Sequence, residues 1–168
     1  MKIRLEKTLT DEEWRTLFEW GQDIFGVQDK LFQWRPKDWH FIVEDEGRVV
    51  SHVGVMETTV RVGLRDIRVG AIGGVVSVPQ ATGRGHAHAA MTRAVEFMRD
   101  ELQVEFGMLF CLARLRAFYA RQNWQLLEDI VEFDQPNGLV VSPFHSMVLP
   151  FADRQWPAGK VEVGGLPW

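Results

Sequence analysis

The stretch Gly73-Gly74-Val75-Val76-Ser77-Val78-Pro79-Gln80-Ala81-Thr82-Gly83-Arg84-Gly85-His86-Ala87 decides the fold. Its first six residues end a Val- and Ile-rich run that begins at Ile67, and Pro79, with no amide to give to a ladder, closes that strand. A loop of small residues follows. A helix comes next, with Ala87, Ala90, Met91, Ala94, Met98 and Leu102 on one face. The first free N–H groups of such a helix point into the loop. Glycine lets the backbone approach an anion there, and the helix dipole favours negative charge. The arrangement can cradle a pyrophosphate; a plain tight turn before a capped helix is the alternative that composition alone leaves open. A Walker A loop is excluded, because no Gly-Lys-Ser/Thr follows. So is a dinucleotide fingerprint, because the Gly-x-Gly-x-x-Gly spacing is missing and the preceding strands read as antiparallel.

Working outward, Trp39 to Val43, Arg48 to Val60 and Ile67 to Val78 read as three strands. Turn signals at Asp45-Glu46-Gly47 and Gly63-Leu64-Arg65-Asp66 separate them. Links this short make antiparallel neighbours. Met1 to Lys7 reads as a first strand. Thr10 and Glu13 fit a capping box, and Trp14, Leu17, Phe18, Gly21, Ile24 and Phe25 follow at helical steps. Gln28 to Lys37 is a short helix or an ordered loop. Downstream, Val104 to Cys111 reads as a strand, Leu115 to Gln122 as a short helix, and Leu126 to Phe133 as a strand. A turn at Pro136-Asn137-Gly138 leads to a last strand, Val140 to Leu149. Three strands without an intervening helix make the class α+β, a mixed α/β fold that is not doubly wound. With no repeat, low-complexity tract or linker, residues 1–168 are expected to form a single domain.

The 168 residues are 46% hydrophobic and 25% charged, which excludes global disorder. A net charge of −4 and a pI near 5.7 argue against nucleic acid as a partner. No apolar run approaches a membrane span, and no signal-peptide core is present, so no membrane partner is expected. The lone Cys111 excludes an intrachain disulfide and a cysteine-based zinc cluster, and it favours a reducing, cytoplasmic location. His86 and His88, two apart, fall on different faces of their helix, so no metal site is expected. Any phenol chemistry must use Tyr119, the one tyrosine.

A second informative segment is Arg116-Ala117-Phe118-Tyr119-Ala120-Arg121-Gln122-Asn123-Trp124. Together with the loop, and in this order of elements, it resembles the GNAT superfamily of acyl-CoA-dependent N-acyltransferases. Ser77-Val78-Pro79 stands for that family's Val-x-Pro strand end. Thr82-Gly83-Arg84-Gly85-His86-Ala87 stands for its Arg/Gln-x-x-Gly-x-Gly/Ala loop, with Thr82 in place of Arg or Gln. Phe118-Tyr119 stands for its Phe-Tyr-x-x-x-Gly-Phe helix, with Asn123-Trp124 in place of Gly-Phe. The resemblance implies a mostly antiparallel central sheet flanked by helices and splayed at the cofactor site. It implies that Val75, Val76 and Ser77 pair with the pantetheine arm of acetyl-CoA, and that Thr82, Gly83, Arg84, Gly85, His86 and Ala87 hold its pyrophosphate. It also implies that Tyr119 protonates the departing thiolate, a role suited to a phenol that stays protonated at neutral pH. A homodimer is a family-level expectation.

Within the superfamily, Arg48 to Val55 resembles the matching strand of aminoglycoside 2'-N-acetyltransferases and nodulation N-acyltransferases. The tail from Trp156 to Val161 resembles the latter, and a final Trp resembles the former. The implied acceptor is a small-molecule primary amine, with an aminoglycoside or other aminosugar as the named candidate. Gly74 and Trp168 are expected on the acceptor side. The aminoglycoside branch carries a Glu base where this chain has Gly73. Glu57, which alternates with Val53 and Val55, is the candidate replacement, against the alternative of a solvated carboxylate. Two other functions fit the same residues: a non-catalytic acyl-CoA sensor, and a long-chain acyltransferase fed by acyl carrier protein. The aromatic residues Phe32, Trp34, Trp39, Trp156 and Trp168 line an acceptor pocket in one reading and ordinary core in the other.

Overall fold

The computed structural model describes residues 1–168, the side chain of Asp29 apart. Ten strands form one sheet: β1 (Lys2–Glu6), β2 (Trp39–Asp45), β3 (Arg48–Val62), β4 (Arg65–Ser77), β5 (Phe106–Cys111), β6 (Gln125–Leu126), β7 (Val131–Gln135), β8 (Gly138–Val141), β9 (His145–Pro150) and β10 (Val161–Glu162). Three α-helices flank it: α1 (Asp11–Phe18), α2 (His86–Asp100) and α3 (Arg116–Ala120). The order across the sheet is β6-β9-β5-β4-β3-β10-β7-β8, with β2 on the other half of the β3 edge and β1 outside β2. Pairing is antiparallel except for β4 with β5 and β10 with β7. The α+β class read from the sequence is the class adopted. Among the described residues, no helix is long and apolar enough to cross a membrane.

Strand alternation sorts the core onto two faces. Val53, Val55, Ile72 and Leu109 point to the first face and pack under Ala90, Met91, Ala94 and Met98 of α2. Met56, Ala71, Met108 and Phe133 point to the second. There the tail residues Val163 and Trp168 cover them, with the partly buried Phe32 of the Gln28–Asp38 segment packed alongside. Helix α1 also lies on this face, since its Phe18 meets the His52 ring edge-on at 5.3 Å.

Several elements differ from their sequence reading. The capping box forms, with Glu13 N donating to Thr10 Oγ1 and Thr10 N to Glu13 Oε2. The helix it starts ends at Phe18 rather than continuing to Phe25. The Trp20 indole donates to Leu17 O at 2.8 Å, taking the carbonyl that the next helical amide needs, and Asp23 Oδ1 accepts from Val27 N and Gln28 N. The strand read over Leu126 to Phe133 is two, β6 beside β9 and β7 between β8 and β10. The strand read over Val140 to Leu149 breaks at Ser142-Pro143, where proline cannot donate. The segment from Gln28 to Lys37 begins as a single 3-10 turn at Gln28–Lys30 and continues as ordered loop. The two-residue β10 carries too little pattern to be read.

Candidate functional site

The parallel pairing of β4 with β5 runs from Val69–Phe106 to Ile72–Leu109 and then stops. Beyond that point β5 continues to Cys111 on β9 alone, and β4 continues to Ser77 on β3 alone. The two strands therefore part, leaving the edge of β4 from Gly73 to Ser77 unpaired. The parting coincides with a bulge. The β3–β4 register shifts between His52 and Gly54, and Gly74 sits at φ +60°, a conformation that favours glycine. Past the bulge, Val78 N donates to Val50 O at 2.9 Å. Alternation then turns Val76 towards β3, and turns the amides and carbonyls of Val75 and Ser77 to the open edge. The non-bonded pair Ser51–Ser77 fits this phase, its hydroxyls 2.9 Å apart. Of the three residues expected on the arm, Val75 and Ser77 thus offer backbone, whereas Val76 O accepts from Ser51 Oγ at 2.6 Å.

At the same end of the sheet the chain turns into α2. Gly83 and Gly85 adopt φ +79° and +83°, and nothing lies within 4 Å of an ideal Cβ on either. The first helical bond runs from Ala89 N to Gly85 O. The amides of His86, Ala87 and His88 lie above it and are free of helical partners. The exposed Arg84 adds a cation. Thr82 behaves differently: its amide goes to Pro79 O and its hydroxyl to Val78 O. The His86 ring is 5% exposed and turned inward, with Nε2 3.2 Å from Asp45 Oδ2, so only its backbone faces the loop. A concave set of amides at a helix N-terminus, with room above the glycines, suits a pyrophosphate.

Helix α3 stands at the end of β5, on the far wall of the parting. Tyr119 is 4% exposed and lies against Phe118 and Trp124. Burial, helped by the neighbouring Cys111, raises its hydroxyl pKa well above the ordinary tyrosine range. The phenol is therefore a proton donor at neutral pH. Burial likewise pushes the Cys111 thiol up to about 11, which keeps it a thiol. After α3, Asn123 takes φ +66°, the left-handed position at which the family motif has glycine. Trp124 then folds over Gly107, where a Cβ would come within 2.8 Å of its Cη2.

The second face of the parting is built by residues that no motif announced. Gly54 and Gly73 are cross-strand partners, and their missing side chains leave a slot. The stem of Lys37 fills it, with Cγ 2.5 Å from an ideal Cβ on Gly54 and Cε 2.6 Å from one on Gly73. Lys37 Nζ donates to Arg35 O at 2.9 Å. Burial, with Arg35 nearby, lowers its pKa to about 8. Under the bulge, His52 is 2% exposed and its Nδ1 lies 2.7 Å from Gly74 O. A carbonyl only accepts, so Nδ1 carries the proton. Nε2 is then the acceptor for His40 Nδ1 at 2.9 Å. Burial lowers the His52 pKa to about 3, so the ring is neutral.

Trp168 lies across the parting on this face. Its ring packs on Phe110 of β5 with centroids 4.9 Å apart, and its backbone carbon lies 3.0 Å from an ideal Cβ on Gly73 of β4. Arg35 fastens this tail to the Gln28–Asp38 segment, donating from N to Pro167 O and from Nε to Leu166 O. Phe32 and Trp34 join the same aromatic layer through Phe133 and Phe144. Trp156 packs on Phe106, whereas Trp39 packs on Phe97 of the opposite face.

Glu57 stands elsewhere. It pairs with Gly70, three residues short of Gly73, and accepts from Arg68 Nε at 2.9 Å. Arg68 also donates to Leu102 O, just beyond α2. Glu57 therefore sits at the C-terminal end of α2 and the Gly83–Gly85 loop at its N-terminal end, so the structure does not bring this carboxylate to the parting. A hollow of about 310 Å³ lined by Val95, Arg99, Asn123 and Phe151 shares only Asn123, of the turn after α3, with the residues described above.

Comparison with known proteins adds the family. Residues 6–127 match the family model described as an acetyltransferase (GNAT) domain. A search of curated proteins finds no match. Solved structures of similar fold include an acyl-CoA N-acyltransferase from Pseudomonas aeruginosa (20% identity, TM-score 0.58), covering 88% of this chain and 98% of its own. They also include the GNAT family N-acetyltransferase YhbS from Escherichia coli in complex with CoA (19%, TM-score 0.61), covering 99% and 94%. A third is a GNAT family acetyltransferase from Brucella melitensis in complex with acetyl-CoA (15%, TM-score 0.55), covering 95% and 94%. The matched model spans most of the sequence and every element of the parting up to Tyr119 and Trp124, and the chain belongs to the GNAT acetyltransferases.

Proposed function

We propose that this protein is an acetyl-CoA-dependent N-acetyltransferase acting on the primary amine of a small molecule. The observation that carries the reading is the end of β4–β5 pairing at Ile72–Leu109, flanked at the same end by the amides of α2 and by Tyr119. Acetyl-CoA supplies the acetyl group as a thioester. The free backbone of Val75 and Ser77 suits the amides of the pantetheine arm. Residues Gly83 to Ala87, with the Arg84 side chain, suit the pyrophosphate. The acceptor amine, uncharged when it reacts, forms the amide bond as the carbon–sulfur bond breaks. Tyr119 gives its proton to the sulfur and regains one from the amine through solvent. With no carboxylate at Gly73, orientation and desolvation of the amine carry the step that a Glu would assist.

The likeness of Arg48 to Val55 to the aminoglycoside branch supports trying aminosugars first. Lys37 and Arg35 on the acceptor face repel polycations, so monoamines rank above aminoglycosides with several ammonium groups.

Calorimetric titration with acetyl-CoA tests the reading. Saturable binding near one per chain is expected, lost in Gly85→Asp, which puts a carboxylate into the cradle. Gly85→Asn, tolerant of the same φ, retains it. Absence of binding to the unaltered protein overturns the acetyl-CoA reading. Binding without turnover of any amine supports the sensor alternative.

A further inference from the structure

Lys37 and Arg35 are the two cations on the acceptor face that the proposed reaction does not use. Among the described residues, neither forms an ion pair: Lys37 Nζ has Arg35 O as its partner, and the guanidinium donates to Leu166 O and Thr58 Oγ1. Arg35 Nη2 is buried with no partner at all. Of the nearby carboxylates, Asp38 favours the charged form of both but forms an ion pair with neither. Glu13 is held by Arg4 and by the Thr10 amide, and Asp38 is exposed. Lys37 spends one of three N–H donors on Arg35 O, and burial disfavours its charge. A partly buried cation bonded only to neutral acceptors is costly unless an anion completes it. The glycine pair Gly54–Gly73 places this ammonium beside the last residue of β4 before the bulge, at the mouth of the parting.

We propose that Lys37, backed by the charge of Arg35, binds an anionic group of the acceptor, so that the substrate is a primary amine that carries its own carboxylate. This rests on the transferase reading and narrows its substrate class. The ammonium holds the carboxylate on the second face, at the edge of the Trp168 main chain that lies 3.0 Å from an ideal Cβ on Gly73. The amine at the other end of the acceptor then reaches the gap between β4 and β5.

The test compares glycine, β-alanine and γ-aminobutyrate with their primary amides as acceptors for acetyl-CoA at pH 7, below the Lys37 pKa of about 8, with kcat/KM expressed per neutral amine. The best acid is expected to exceed its amide in kcat/KM by about tenfold or more, the size of a charge-assisted contact. Lys37→Met, which keeps the stem in its slot, is expected to collapse that ratio, and Lys37→Arg to keep most of it. Amides that match or exceed the acids in the unaltered protein overturn the proposal while leaving the transferase reading intact. A ratio unmoved by Lys37→Met also overturns it, reducing the ammonium to a packing group beneath the tail. No turnover of acids and amides alike overturns the carboxylate proposal, while the transferase reading is judged by acetyl-CoA binding and by turnover of aminosugars.

Discussion

A buried tyrosine with a raised pKa makes a simple demand on the pH profile. In the proposed reaction Tyr119 must be protonated to act, and burial holds its ionisation above the ordinary range. The alkaline limb of kcat therefore does not come from this residue below about pH 10. Tyr119→Phe should lower kcat by about a hundredfold while leaving the calorimetric affinity for acetyl-CoA unchanged. Unchanged turnover would remove the residue from the mechanism. His52 makes the opposite demand. Burial lowers its pKa from the ordinary 6.5 to about 3. Above pH 6.5 folded and unfolded chains are both neutral at this ring. Below it the unfolded chain takes a proton that the folded one refuses, so stability falls with pH. His52→Gln removes that dependence. The unfolding free energy of the unaltered protein relative to the variant should shrink by about 1–2 kcal/mol between pH 7 and 5, measured in urea. Tyr119 was legible in the sequence because a motif surrounds it. Lys37 was not identifiable as a site residue, and His52 could be read from its strand only as a substrate-site group or a packed histidine. One gains its place from a slot between two glycines on different strands, the other from a bulge, and neither leaves a periodic trace.

At the scale of elements, the strands were easier to read than their breaks. β3 and β4 keep β-branched alternation over their whole length and were read to within a few residues. The end of α1, the division of β6 from β7 and the break at Pro143 depend on which carbonyl a Trp20 indole takes or which neighbour a strand finds. Such choices are tertiary. One local departure from the family motif did have a local explanation. Asn123 stands where glycine is usual and adopts the left-handed conformation that asparagine tolerates best after glycine. Asn123→Ala should cost about 1 kcal/mol in unfolding free energy and Asn123→Gly nothing. An alanine as stable as the parent would show that the turn re-forms without the left-handed residue.

For the molecule as a whole, the two ends of α2 separate two carboxylate questions. Glu57 belongs to the end marked by Arg68 and Leu102, and the Gly83–Gly85 loop to the other. Alternation correctly gave the face of Glu57 but could not give its height along the sheet, and height decides its use. The second face is closed by sequence-distant partners, with the Gln28–Asp38 segment fastened to the tail by Arg35. No reading of either segment by itself would have joined them. The unpaired rim of β4 between Gly73 and Ser77 has one more effect. A row of unmet amides is adhesive to any extended backbone, including that of another copy of the same chain. A thioester ligand seated on that rim, as proposed above, would also guard it. On that proposal, the resting concentration of the donor bears on how long the protein survives unaggregated as well as on how fast it works.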